Sequence, residues 1–467
     1  MVQKHFFSLM KDIRFWIIFF LLIRLVGITN PPLEIGHSWR QVLTNMLSRN
    51  MLEISPSLLY PRIDMDGTGT GIIGSEFPVF NFLTYLWFKI FGFSHWAGRL
   101  INLVVSSIGI YYFYRIVKRY FTTEVAFSAA FILIVSGWFG FARKIMPDTF
   151  SVSLVIISLY YASIFLDKWQ RKDLLLFTFF ATMGALSKMP SVSILAVLAI
   201  PVFSSKYPLR QKLELMGAGT IVMLFLGLWY FYWVPYLLDT YGYKLFFTRD
   251  LLQGLKELIF NWFDTLDKFF FASFFSFVAF FFFLKGLYNS FKDKNKLILL
   301  SLFYISLIFL FYMMKTGDVF SFHSYYIIPF TPIMALIAGY GLSKLKAKWM
   351  YFFLLVISVE SIANQYNDFF IKDELKCKLK YELIADEFTN KDDLVVVTGG
   401  MDPITMYYLH RKGWSVYNDV LTDSIKMDEM HKQGAKYIFV DKRQFSGNLK
   451  LKIVKQTECL DVYTFSE

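Results

Sequence analysis

The chain has 467 residues, 56% of them hydrophobic, 20% aromatic and 18% charged, with a mean hydropathy of +0.45. A soluble domain carries about 25% charged residues, so the composition excludes an ordinary soluble enzyme and specifies a polytopic membrane protein. The formal charge of +12 raises the question of nucleic acid, but from Asn364 onward 17 acids outnumber 15 bases; the excess sits in the membrane half, mostly in short loops, and nucleic-acid binding is not supported.

Lys4, Lys11 and Arg14 precede an apolar run that ends at Asn30-Pro31-Pro32 with no small-residue cleavage site. The run therefore reads as a retained first span, Ile13 to Ile28, rather than a signal peptide. Further apolar stretches follow at Ala97 to Ile116, Val125 to Gly140, Thr149 to Leu166, Leu174 to Leu186 and Ser191 to Phe203. The rest are Leu215 to Val234, Phe269 to Leu284, Leu297 to Met314, Tyr325 to Leu342 and Met350 to Ile362. That makes about eleven spans. With the N-terminus cytoplasmic, alternate loops should be rich in Lys and Arg, and "RIVKRYF", "DKWQRKD", "SSKYPLRQK", "KDKNK" and "SKLKAK" fit. The opposite loops, Thr29 to Trp96, Phe141 to Asp148, Lys188, Leu237 to Lys268 and Lys315 to Ser324, hold most loop acids and aromatics and face outward.

Parity excludes Phe77 to Gly92 as a span and predicts a re-entrant or interfacial helix with Asn81, Thr84, Tyr85 and Lys89 as its polar stripe. Ser38 to Glu53 has the pattern of a helix lying in the interface, with Arg40, Gln41, Thr44 and Ser48 on its polar face. "DMDGTGTGIIGSE" nearly matches a calcium loop, but its glutamate is one place late and Thr68 replaces an acid, so a mobile glycine-rich flap is the better expectation. After Ile362 the pattern changes to that of a small α/β domain, 364–467, on the outer side. "DLVVVTGG", "WSVYND" and "GAKYIFVD" read as strands, and "MDPITMYYLHRKG" as an Asp-capped helix with Pro in its first turn and Gly at its end. "TGGMDP" lacks the spaced glycines of a dinucleotide site. Cys377 and Cys459 permit one disulfide without requiring it.

The outward loops collect Glu34, His37, Arg40, Asp64, Asp66, Glu76, Arg143, Lys144, Asp148, Lys188, His323, Tyr325 and Tyr326. Carboxylates beside cations suit a reaction at a phosphate-linked substrate, the cations stabilising the departing phosphate and a carboxylate or imidazole removing a proton. Each residue also has a plain structural reading. Arg143 and Lys144 snorkel at a helix end, Asp148 caps a helix, Glu76 starts one, and His323 with the tyrosines forms an aromatic belt. Arg24, Arg99 and Glu360 lie toward the outer ends of their spans, which disfavours an ion-coupled transporter.

The order of "HSWRQ", "GSEFPVFNFLTYLWFKIFGFSHWAGRL", "ARKIMPD", "LSKMP", "HSYYIIPFTP", "DPITMYYLHRKGW" and "GAKYIFV" resembles the bacterial branch of the protein O-mannosyltransferase and aminoarabinose transferase family, among the C-type membrane glycosyltransferases. The resemblance implies a polytopic α-helical membrane protein of GT-C type with 1–363 as the transmembrane glycosyltransferase domain, first outer loop 29–96, and an extracytoplasmic α/β domain. It implies a multi-pass protein of the bacterial plasma membrane that moves a sugar from a polyprenyl (undecaprenyl) phosphate to a hydroxyl of a protein, lipid or glycan acceptor, with inversion. The acidic residue of the second loop falls on Asp148; in the first loop His37 stands where an aspartate is usual, with Glu34 three residues earlier, so the catalytic candidates are Asp148, His37 and Glu34. Glu76 matches a glutamate before proline, but Phe77 replaces the lysine between the two in aminoarabinose-type relatives. Phosphate binding then falls to Arg40, Lys188 and Arg143 with His323, Tyr325 and Tyr326. A divalent metal (zinc, manganese or magnesium) would be held by Glu76 with His323 or His37. The rival readings are a transporter or flippase of lipid-linked saccharide and a non-catalytic membrane scaffold.

Overall fold

A computed structural model describes residues 10–243, 248–447 and 449–465. Lys4 and 244–247 of the predicted fourth outer loop lie outside the described residues. The chain divides into two compact units, one of Met1–Ile28, Arg99–Phe231 and Phe247–Phe369, the other of Thr29–Gly98, Tyr232–Phe246 and Phe370–Glu467.

The first unit is a helical bundle. Among the described residues four helices are long and apolar enough to cross a membrane: Ala97–Tyr120, Pro147–Lys168, Leu209–Tyr241 and Lys296–Thr316. They differ in place. The apolar window of Pro147–Lys168 is 78% buried and that of Leu209–Tyr241 only 22%, so the first is interior and the second carries a long exposed apolar face. At the centre runs Thr123–Val135, buried on all sides from Val125 to Val135, as expected of a helix hydrophobic all round. Its close packing depends on Gly339, where a Cβ would lie 2.5 Å from the backbone nitrogen of Ala129. Phe231, Phe260, Leu307 and Val359 remain exposed, the distribution of a bundle solvated by lipid.

Several predicted spans are interrupted. Val125 to Gly140 breaks at Ser136, whose hydroxyl accepts from Trp138 N–H and starts a second short helix, Gly137–Phe141. Phe269 to Leu284 is not one helix: Trp262–Ala272 and Phe277–Lys292 meet at 91°. The cause is specific. Glu360 accepts hydrogen bonds from the hydroxyl of Ser276 and the backbone N–H groups of Phe277 and Val278, so a half-buried carboxylate caps a new helix start where hydropathy alone reads continuity. Tyr325 to Leu342 likewise opens as a tight turn, Ser324–Ile327, before Thr331–Ser343.

The second unit contains a five-stranded sheet in the order β2-β1-β3-β5-β4. Its strands are β1 Leu394–Thr398, β2 Lys412–Val416, β3 Ala435–Asp441, β4 Lys452–Gln456 and β5 Leu460–Thr464. β2, β1 and β3 are parallel; β5 joins β3 and β4 antiparallel. Alternation along β1 sends Val395 and Val397 to a core shared with Val42, Met46 and Tyr407, and Val396 to a core with Leu421 and Met427. The helix of "MDPITMYYLHRKG" is shorter than expected, Ile404–Leu409, and ends at His410 in the left-handed region; Gly413 lies inside β2. Asp402 does cap it, accepting from Ile404 N–H at 2.9 Å. Cys377 and Cys459 form a disulfide.

Two first-loop expectations are corrected. The Ser38–Glu53 helix does not present a polar face outward: every residue from Arg40 to Met51 is buried, and its polar side chains are engaged within the unit. Nor is the glycine-rich segment a loose flap. Ile63 N–H donates to Gly71, Gly67 N–H to Gly413 and Gly413 N–H to Asp64, which stitches it to β2. The Val79–Phe91 helix turns Asn81, Thr84 and Tyr85 inward and leaves Leu83, Leu86, Ile90 and Phe91 exposed; Lys89 is exposed too. At 13 residues it spans about 20 Å, less than a bilayer core.

Candidate active site

In the bundle, Pro147 occupies the first position of its helix, where a missing N–H costs nothing, and Asp148 follows in the first turn, where the helix dipole favours a carboxylate. Asn102 fixes the approach. Its amide donates to the carbonyls of Phe141, Lys144 and Met146 at 3.1, 2.9 and 3.1 Å, and its oxygen accepts from Ser106 and Thr149. Lys188 arrives from the neighbouring helix, Arg171–Ser187, which it ends in an extended conformation. The Ser151 hydroxyl donates to the carbonyls of Gly184 and Lys188 at 2.7 and 3.2 Å, and Ser191 to Lys188 at 2.8 Å. Only glycine fits at 184, because a Cβ would lie 2.9 Å from the Ser151 carbonyl. These contacts bring Lys188 Nζ to 4.0 Å from Asp148 Oδ1, both side chains buried.

The same ammonium lies 5.9 and 5.8 Å from the ring centres of Tyr325 and Tyr326, within cation–π range. The two tyrosine rings are 4.6 Å apart, with the His323 ring 5.5 and 5.8 Å from them. His323 Nδ1 is 2.9 Å from the Val319 carbonyl; since a carbonyl only accepts, Nδ1 carries the proton. Five predicted residues, Asp148, Lys188, His323, Tyr325 and Tyr326, thus form one cluster. Arg143, in the same unit, lies 4.1 Å over the Phe369 ring and donates to the Val26 carbonyl at 3.1 Å. Lys144 donates to Asp368 at 2.7 Å.

The remaining candidates belong to the second unit. Arg40 donates to Glu76 at 2.7 Å, and Arg40 is 5% exposed. Glu34 is buried, accepts from Asn30 at 3.2 Å and pairs through its backbone with Ile371. His37 precedes the Ser38–Glu53 helix with φ of 60°, a conformation in which His is enriched several-fold over most residues. Asp64 is saturated, Oδ2 by Arg49 at 2.7 Å and Oδ1 by Asn50 at 2.8 Å, and Asp66 accepts from Gly71 N–H; neither carboxylate is disposed for calcium. Among the described residues no group of three or more His, Cys, Asp or Glu side chains is placed to hold a metal ion, and Glu76 already carries a guanidinium. These residues do not fit a metal cage. Asn102, Ser151, Gly184 and Asp368 escape sequence reading; a lone Asn inside an apolar helix and a Gly four residues before Lys188 were the available signals.

Residues 75–232 match the family described as dolichyl-phosphate-mannose-protein mannosyltransferase. By fold the chain is similar to ArnT from Cupriavidus metallidurans bound to undecaprenyl phosphate, at TM-score 0.62 and 12% identity over 96% of this chain and 97% of that one. It matches the same enzyme in the apo state at 0.60 and 13%, with the same coverage. The archaeal oligosaccharyltransferase AglB from Archaeoglobus fulgidus, in complex with an inhibitory peptide and a dolichol-phosphate, is similar at 0.52 and 13% over 92% of this chain and 69% of that one. Another Archaeoglobus fulgidus oligosaccharyltransferase structure, in complex with zinc and sulfate, is similar at 0.50 and 13% over 90% of this chain and 68% of that one. At these identities the likeness is one of fold: a largely helical, polytopic membrane architecture. No curated protein matches the sequence significantly.

Proposed function

We propose that the chain is a glycosyltransferase that moves a sugar from a polyprenyl-phosphate donor to an acceptor hydroxyl at the outer face of a bacterial plasma membrane, with inversion. The observation that carries the reading is the buried Asp148–Lys188 pair at 4.0 Å beside Tyr325 and Tyr326, on a fold like that of ArnT bound to undecaprenyl phosphate. A buried ion pair is weak evidence for stability, because desolvation offsets the attraction; in a polar cluster it is better explained by chemistry. We read the bundle as about eleven crossings, four by long helices and the others by shorter or broken ones, with 1–363 as the membrane domain and 364–467 outside. The basic loops support this orientation, and the Cys377–Cys459 disulfide favours an oxidising compartment for the C-terminal domain.

In the proposed step the acceptor oxygen attacks the anomeric carbon as the carbon–oxygen bond to phosphate breaks. The bonding pair leaves on the phosphate oxygen, and the acceptor proton passes to Asp148. Lys188 and the tyrosine hydroxyls offset the charge on the departing phosphate, and His323 supplies an imidazole whose Nδ1 is already committed. Phosphate is a good leaving group, so positioning and charge stabilisation supply most of the acceleration. Arg40 and Arg143 are read as further phosphate-binding cations, and Glu34 or His37 as the first-loop acid or base. Glu76 is read as the partner that holds Arg40; a metal on Glu76 would have to displace that guanidinium.

The test is to incubate purified protein in lipid with labelled undecaprenyl-phosphate sugars and acceptors, measuring release of undecaprenyl phosphate. Release from one donor that collapses in Asp148→Asn, with the fold intact, supports the reading and identifies the sugar. Equal release in both overturns the role of Asp148, and no release from any donor moves the assignment to a transporter of lipid-linked saccharide.

A further inference from the structure

The bundle contains a cavity of about 340 Å³ that the proposed reaction does not use. Its wall is hydrocarbon and aromatic: Phe113, Val117, Ile156, Leu159, Ile305 and Ile333 are representative. The hydroxyl of Ser163, one of its few polar wall residues, is spent on the Tyr160 carbonyl. The polar groups gather at one end, where Tyr120, Ser204, Lys206 and Tyr207 line it. That end is defined by the helices themselves: Tyr120 is the last residue of Ala97–Tyr120, and Leu297, also in the wall, is the second of Lys296–Thr316. On Pro147–Lys168 the wall residue Leu166 stands near the end and Asp148 at the start, about 27 Å apart along the helix.

Two properties select the occupant. Apolar cavities of about 150 Å³ stay dry and take a benzene ring, so this one accommodates roughly a dozen carbons of a flexible chain. At the polar end Lys206 is exposed and has no carboxylate within 4.0 Å among the described residues; its ammonium lies 5.2 Å over the Tyr207 ring. An uncompensated cation at the mouth of a hydrocarbon-lined cavity fits an amphiphile with an anionic head. A polyprenyl phosphate bound for transfer would carry its phosphate at the opposite end, beside Asp148.

We propose that this cavity holds one acyl chain of an anionic phospholipid, with its phosphate at Lys206 between Tyr120 and Tyr207. The site is then a lipid-binding site on the cytoplasmic side, separate from the transfer chemistry.

Native mass spectrometry of the delipidated full chain tests this with phosphatidylglycerol, phosphatidylcholine and undecaprenyl phosphate added in turn. One phosphatidylglycerol should remain bound where phosphatidylcholine is lost, and Lys206→Ala should weaken it about five-fold, the worth of one surface cation toward an anionic lipid, with donor release unchanged. Phosphatidylglycerol carrying a diazirine at its acyl terminus should label Phe113, Ile156 or Ile305. Equal retention of both phospholipids, no effect of Lys206→Ala, labelling confined to other helices, or displacement of phosphatidylglycerol by undecaprenyl phosphate would each overturn the proposal.

Discussion

Each unit buries an aspartate beside a cation, and the two pairs are built differently. In the second unit Arg49 and Asp64 meet at 2.7 Å, Asn50 takes the other carboxylate oxygen, and Arg49 also donates to the Tyr407 carbonyl and stacks on its ring at 4.7 Å. In the bundle Lys188 and Asp148 stand 4.0 Å apart, beyond hydrogen-bond length, with tyrosines beside the ammonium. The first pair is closed, as a structural pair must be if its desolvation is to be offset. The second keeps a spacing that a substrate oxygen can bridge. Burial is common to both, but the cation is Arg in one and Lys in the other, and the spacing within the pair distinguishes them.

If this distinction holds, substitutions in the two pairs separate activity from stability. Asp148→Asn should lower donor release by about 10²–10⁴, the usual worth of a general base, while the thermal midpoint barely moves. Lys188→Met should cost about 10²–10³ through lost charge stabilisation, with partial recovery in Lys188→Arg. Arg49→Met should do the reverse: Asp64 left buried without its cation costs about 3–5 kcal/mol in denaturant unfolding, with activity per folded molecule unchanged. Next in size, Cys377→Ser with Cys459→Ser removes a link across 82 residues, worth about 2–4 kcal/mol, seen as faster proteolysis of the C-terminal domain.

The smallest effect is one of pH. His410 places Nδ1 2.8 Å from Glu382 and Nε2 3.0 Å from Glu53, an arrangement only the imidazolium satisfies on both nitrogens. Burial lowers the His410 pKa, but the hydrogen bonds to Glu382 and Glu53 outweigh it, and the net shift is upward from 6.5. Glu382 is drawn down from 4.5 to about 2, chiefly by its hydrogen bond to His410 against the opposing effect of burial. The histidine therefore contributes fully below 6.5 and loses its contribution as pH rises through its raised value. The glutamate contributes above 4.5 and loses its contribution as pH falls toward 2. Unfolding midpoints should peak between those limits, and His410→Gln should flatten the neutral limb; an unchanged limb would remove His410 from the account.

Hydrophobicity was enough to locate the apolar helices, because lipid solvation writes itself into composition. The interruptions at Ser136 and at Ser273–Ser276 were not legible: the cap at the latter comes from Glu360, 84 residues from Ser276. Strands β1 and β3 announced themselves by their apolar β-branched and aromatic runs and β2 by its Trp and Val between turn residues, whereas "KIVKQ" and "LDVYT" form β4 and β5 from mixed residues whose pairing supplies what local propensity does not. At the site, residue types and loop positions pointed to Asp148, Lys188 and the His323 loop. Sequence could not separate them from Asp64, since closure by Asn50 and Arg49 is a matter of three-dimensional contact. The amphipathic pattern of Ser38–Glu53 misled for the same reason: a polar face can be spent on buried partners such as Tyr407, 362 residues from Asn45.

That separation sets a timetable for synthesis. At about 5–20 residues per second, Asn45 and Arg49 wait roughly 20–70 s between leaving the ribosome and the appearance of the Tyr407 segment. Throughout that interval the first-loop helix exposes Val42 and Met46, and Arg49, although Asp64 is already available to it, lacks the Tyr407 carbonyl and ring. The second unit therefore assembles late, from pieces that must be kept apart until the intervening helices are inserted, and it is this unit, rather than the apolar bundle, whose early stages call for a holding chaperone.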